Sequence, residues 1–114
     1  MWIHLAYIMM TVGSYHTIPV NDSVQNFSKA LHINDYLEKN GYNSIVKKWT
    51  VEEAAEQIVN GKNVILRLLV YNAYNDSNST ALSMCVKVFV SRDNDVEIKR
   101  MKPCSSWIEI IDDV

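Results

Sequence analysis

The sequence predicts an α+β fold in which one long α-helix packs against a four- to five-stranded antiparallel β-sheet. Three observations predict it. Only one segment spaces its apolar residues with a helical period, nearly everything after that segment alternates with the two-residue period of strands, and short polar turns divide those strands. The chain has 114 residues, which is room for one domain and not two.

The elements follow in order. Residues 1–12, MWIHLAYIMMTV, are apolar and hold no Lys or Arg. They are too short for a membrane span and read as an apolar arm or the remnant of a signal peptide, leaving 13–114 as the domain. Tyr15 to Val20 predicts a short edge strand closed by Pro19. Asn21, Asp22 and Ser23 then offer capping oxygens, and Val24, Phe27, Leu31 and Tyr36 or Leu37 follow on one helical face. That spacing predicts a single helix of about four turns, stopped by Asn40-Gly41. Ser44 to Val51 is rich in strand formers and predicts a strand that continues through Glu56. In the strand from Lys62 to Tyr74, Val64, Leu66, Leu68 and Val70 share one face, opposite Ile65, Arg67, Leu69 and Tyr71. After a polar loop at Asn75 to Thr80, Leu82 to Ser91 places Met84, Val86, Val88 and Val90 on one side, and Asp95 to Lys102 runs back. Trp107, Ile108, Ile110 and Ile111 lie beyond, as a further edge strand or a cover for the sheet.

Composition excludes more than it identifies. Net charge is −2, and the only adjacent basic pairs are Lys47-Lys48 and Lys99-Arg100, so no electropositive face is predicted for nucleic acid. No membrane partner and no cofactor is expected. Catalysis is not expected either: His4, His16 and His32 lie in the N-terminal third, away from both cysteines, and lack the close spacing of a metal site. With three glycines the chain has no phosphate loop. Four Asn-x-Ser/Thr acceptor patterns begin at Asn21, Asn26, Asn75 and Asn78, as in a secreted glycoprotein.

The last hairpin brings the two cysteines together. If Asn94-Asp95 forms a two-residue turn, facing residues have numbers that sum to 189. Arg92 then faces Glu97, Val88 faces Met101, and Cys85 faces Cys104, at the cost of setting Lys87 against Lys102. Facing strand positions meet the Cα separation of about 4.4–6.8 Å that a disulfide requires, so a Cys85–Cys104 bond is predicted.

One stretch fits poorly with a plain turn. In QIVNG, Gln57, Asn60 and Gly61 suit a reversal, yet Ile58 and Val59 place two aliphatic side chains at its tip. QIVNG fits the Gln-x-Val-x-Gly motif and resembles the first hairpin loop of the cystatins, inhibitors of papain-like, cathepsin-type cysteine proteases. Val51 and Ala54 stand ahead of the motif, and Val12-Gly13 stands where that family carries its N-terminal glycine. The resemblance is to the secreted, type-2-like members and spans roughly Val12 to Cys104. It implies a cystatin-like fold, secretion, and inhibition without covalent chemistry.

In that reading Ile58 and Val59 present aliphatic surface to a protease cleft, Gln57 bonds at its rim, and Asn60 and Gly61 make the bend. Val12 enters the groove on the non-prime side while Gly13 turns the chain away. Arg92 and Asp93, at the tip of the second hairpin, make the weaker contact. The departures are specific. The second disulfide of the secreted family is missing, and Ser91-Arg92-Asp93-Asn94-Asp95, with no aromatic, replaces its Pro-Trp tip. Asn40 falls near the position that inhibits legumain in some members, without their flanking residues. The alternative is an interaction module with the cystatin fold and no inhibition. A monomer is expected, with a domain-swapped dimer open to hairpins of this kind.

Overall fold

The computed structural model describes residues 10–39, 46–72 and 81–113. Among them six strands form one antiparallel sheet in sequence order, β1(Thr11–Val12), β2(Tyr15–Ile18), β3(Val46–Val59), β4(Gly61–Asn72), β5(Ala81–Val90) and β6(Val96–Pro103). Two short helices, α1(Asp22–Lys29) and α2(Ile33–Lys39), cover one face, and a 3-10 turn at Trp107–Ile110 covers the other.

This corrects the predicted architecture twice. The long helix is two helices, and the sheet has six strands rather than four or five. The helix breaks because Leu31 and Ile33 are both buried, at 8% and 1% exposure. Residues two apart point about 200° apart on a continuous helix, so no straight helix can bury both. The chain resets its phase through His32, whose φ of +53° is left-handed. Val24 and Leu31 then face the sheet from the first segment, and Ile33 and Leu37 from the second. Asn21 caps α1 as predicted, accepting the Val24 N–H at 3.1 Å.

The sixth strand is β1. Gly13 and Ser14 have φ of +56° and +67°, the two positive values of the tight turn whose twist matches a hairpin. Thr11 therefore pairs with His16 and Val12 with Tyr15, and Thr17 N–H donates to the Met10 carbonyl at 2.8 Å. The end of the stretch assigned to an apolar arm is thus an edge of the sheet. Residues 1–9 lie outside the described residues, as do Asn40-Gly41 and the polar loop at 75–80.

The strand predictions hold on their faces. Val64, Leu66, Leu68, Val70, Met84, Val86, Val88 and Val90 are buried together against the helices. Val51 and Ala54 join them although three residues apart, because the register shifts between Val51 and Glu53 and Glu52 bulges out. On the opposite face Tyr15, Ala55, Ile65, Cys85, Cys104, Trp107 and Ile110 form a second cluster. The C-terminal segment therefore covers the sheet and adds no strand. A capping box holds its start, with Ser106 and Glu109 as the reciprocal partners. Lys87 Nζ donates to the Ile111 and Asp113 carbonyls at 2.8 Å each, and Lys102 Nζ lies 2.8 Å from the Asp113 carboxylate.

The predicted disulfide is present, but the register that predicted it is not. Cys85 and Cys104 are bonded with Cα atoms 5.7 Å apart. The turn is Arg92-Asp93-Asn94, with Ser91 N–H donating to Asp95 O at 2.8 Å and Asn94 N–H to Ser91 O at 3.0 Å. Asn94 takes φ +66°, which asparagine tolerates, and so closes a three-residue loop in place of the two-residue one. Phe89 then faces Glu97 and Val88 faces Ile98, and after a bulge Lys87 faces Arg100 and Cys85 faces Lys102. Cys104, just beyond β6, reaches Cys85 as a diagonal neighbour, held by its own N–H on the Ser83 carbonyl at 3.1 Å.

Candidate functional site

In an antiparallel meander alternate connections fall at the same end of the sheet. The β1–β2, β3–β4 and β5–β6 turns therefore share an end, and the sequence-predicted residues divide among them. The pairing of His16 with Glu56 sets the Gly13–Ser14 turn level with the top of β3. Gln57 Nε2 donates to the Gly13 carbonyl at 3.4 Å, and Arg92 Nη1 donates to Asn60 Oδ1 at 3.5 Å. Side-chain bonds thus tie the middle tip to both flanking ones.

The middle tip is where apolar surface meets water. Ile58 is 66% exposed and Val59 46%, although both belong to a strand paired along its length with β4. Adjacent strand residues point to opposite faces. Ile58 continues the row of Ala54 toward the helices, and Val59 continues the row of Ala55 toward the C-terminal cover. The chain reverses about Asn60, and Val59 pairs with Gly61, whose φ is +109°. A Cβ on Gly61 would lie 2.5 Å from the Val90 carbonyl oxygen and 3.0 Å from the Phe89 ring, so only glycine fits the close approach of β5.

The polar surroundings are arranged in rows. Asn63 Nδ2 donates to Gln57 Oε1 at 2.8 Å, which fixes the Gln57 amide that reaches Gly13. On the helix side Glu56 stands 3.3 Å from His16 Nε2 and 3.9 Å from Lys62 Nζ. Arg92, Asp93 and Asn94 are exposed at the third tip. Val12 lies half-buried against the Tyr15–Trp107 cluster, so at the first tip Gly13 and Ser14 stand outermost. Behind them Tyr15 is 2% exposed and tilted against Trp107 with ring centroids 6.2 Å apart, and its burial pushes the phenol pKa up.

Other candidate residues stand elsewhere. Both cysteines are joined to each other under the sheet, His32 sits at the helix break, and His4 and Asn40 lie outside the described residues. Among the described residues no group of three His, Cys, Asp or Glu could hold a metal ion, and no helix is long and apolar enough to cross a membrane. Sequence reasoning missed Ser14, Asn63 and Phe89 at this end. Gly-Ser between two short apolar-polar runs is a hairpin signal for the first of these. Alternation alone places Phe89 opposite the buried Val88 and Val90, on the face of Gly61. No protein-family model, curated protein or solved structure matches the chain.

Proposed function

We propose that this chain is a reversible, non-covalent inhibitor of papain-like cysteine proteases that occludes the active-site cleft with one end of its sheet. The observation that carries the reading is the pair Ile58 and Val59, exposed at a bend that Gly61 makes tight. An apolar side chain that stays in water in the free protein contributes when a partner desolvates it, at about 1.5–3 kcal/mol for a full side chain. The bend belongs to two long paired strands, so little ordering entropy is lost on docking. Gln57 bonds at the cleft rim, Gly13 with Val12 behind it supplies the N-terminal edge, and Arg92 and Asp93 supply the third contact. Inhibition is steric: the tip fills the cleft and forms no covalent bond with the protease thiolate. The buried disulfide fits an oxidising, extracellular setting.

One observation favours a second reading. The third tip exposes Arg92, Asp93 and Asn94 and no aromatic residue, which suits an interaction module of this shape without inhibition. Titrating an activated papain-type enzyme decides between them. An inhibitor removes turnover stoichiometrically, and Gly61→Trp, which fills the approach to β5, weakens it. A module leaves turnover unchanged at every ratio.

A further inference from the structure

Phe89 is in an unusual place for its ring. Its strand neighbours Val88 and Val90 are buried toward the helices, while Phe89 points to the other face and packs against neither buried cluster. It is partly exposed at the tip end of β5 and is not part of the cluster that the C-terminal segment covers. Its Cζ and Cε1 atoms lie 3.0 and 3.3 Å from where a Gly61 side chain would begin. Val59, the outermost aliphatic residue of that face, pairs with Gly61, and Asn63 with its Gln57 bond pairs with Phe89 itself. A partly exposed phenylalanine outside both clusters leaves part of its ring open to a partner. Beside Val59 it widens one side of the tip into a continuous apolar and aromatic surface, edged by the Gln57–Asn63 amides.

We infer that Phe89 is a contact residue that sets target preference, resting on the inhibitory reading above. With Ile58 projecting to one face and Val59 and Phe89 to the other, the tip is two-sided and asymmetric. Phe89 supplies the aromatic contact that the third tip lacks. The preferred target has an apolar cleft wall on the Phe89 side, and a carboxylate there is disfavoured because the ring cannot pair it.

The chain has only two phenylalanines, Phe27 and Phe89, which makes the test clean. Phe27 packs on the helix-side core and serves as the internal reference. Protein labelled with 4-fluorophenylalanine gives two fluorine resonances, assigned through Phe89→Ala. Adding a papain-type enzyme should shift the Phe89 resonance and leave that of Phe27 in place. Phe89→Ala should raise the inhibition constant about tenfold, with Phe89→Leu intermediate and any fall in thermal midpoint too small to unfold the protein at the assay temperature. Wild-type inhibition with a stationary Phe89 resonance and an unaffected Phe89→Ala constant overturns the inference alone and leaves the inhibitor standing. Absence of inhibition by the wild type overturns the inhibitory reading and this inference with it.

Discussion

Two glycines with positive φ make a matched pair for one substitution. Gly13 at φ +56° has room: an added Cβ would touch Ile111 Cγ2 at 3.5 Å, ordinary van der Waals contact. Gly13→Ala therefore meets only the left-handed penalty, about 1–2 kcal/mol, partly offset by a stiffer unfolded chain, for a net cost near 1 kcal/mol. Gly61 at φ +109° lies outside even the left-handed well, a strain of about 1–3 kcal/mol. Its Cβ would also stand 2.5 Å from the Val90 carbonyl oxygen, which is backbone and paired across from Lys62, so β4 and β5 must part there. Overpacking of that kind adds about 1–3 kcal/mol, and Gly61→Ala should cost about 3 kcal/mol in all. In a domain of this size that lowers the thermal midpoint by roughly 12 °C, against about 4 °C for Gly13→Ala. Urea denaturation of the two variants, with slopes unchanged from wild type, measures the difference. Equal costs, or a milder effect at Gly61, would refute the claim that close approach of β5 is what requires glycine there.

Three further outcomes are expected. His32→Gly relieves the left-handed φ of +53° between the helices and should stabilise the protein by about 0.5 kcal/mol, read as a higher urea midpoint. Replacing Cys85 and Cys104 with serine frees a loop with ends 19 residues apart and should cost about 3 kcal/mol, with Trp107 fluorescence becoming more solvent-exposed. The Asp113 carboxyl is held below its usual pKa, first by the Lys102 hydrogen bond and then by the Lys102 and Arg100 charges, with partial desolvation opposing them. Its stabilising effect is fully present above the ordinary carboxylate pKa and is lost as pH falls through the lowered one. Asp113→Asn should therefore lower the thermal midpoint at neutral pH, and the gap from wild type should close in strong acid.

The strands were legible because alternation is a local code. Val64 to Val70 and Met84 to Val90 each declare a buried face without reference to anything distant. The helix was misread because Leu31 and Ile33 each fit a helical period, and only their joint burial against one sheet forces the break. Hairpin register depended on which asparagine position could go left-handed, and moving the turn from Asn94-Asp95 to Arg92–Asn94 shifted every pair below it. Gln57 to Gly61 stood out because exposed aliphatic residues contradict turn chemistry. Phe89, Asn63 and Ser14 did not, since their place at the site comes from pairing across strands. Val12 was assigned to a free arm because the Gly13-Ser14 turn was not read as a hairpin.

The most direct test separates stability from affinity at the tip by replacing Ile58 and Val59 together with aspartate. Both side chains are exposed at 66% and 46%, so the unfolding free energy from urea denaturation should stay within about 0.5 kcal/mol of wild type. The apolar surface left for a partner to bury is worth about 2–3 kcal/mol, so inhibition of a papain-type enzyme should weaken at least 30-fold, by roughly that conversion. A double variant that unfolds more readily yet inhibits as well as wild type would contradict the account, for its aliphatic pair would then serve the fold and not a partner.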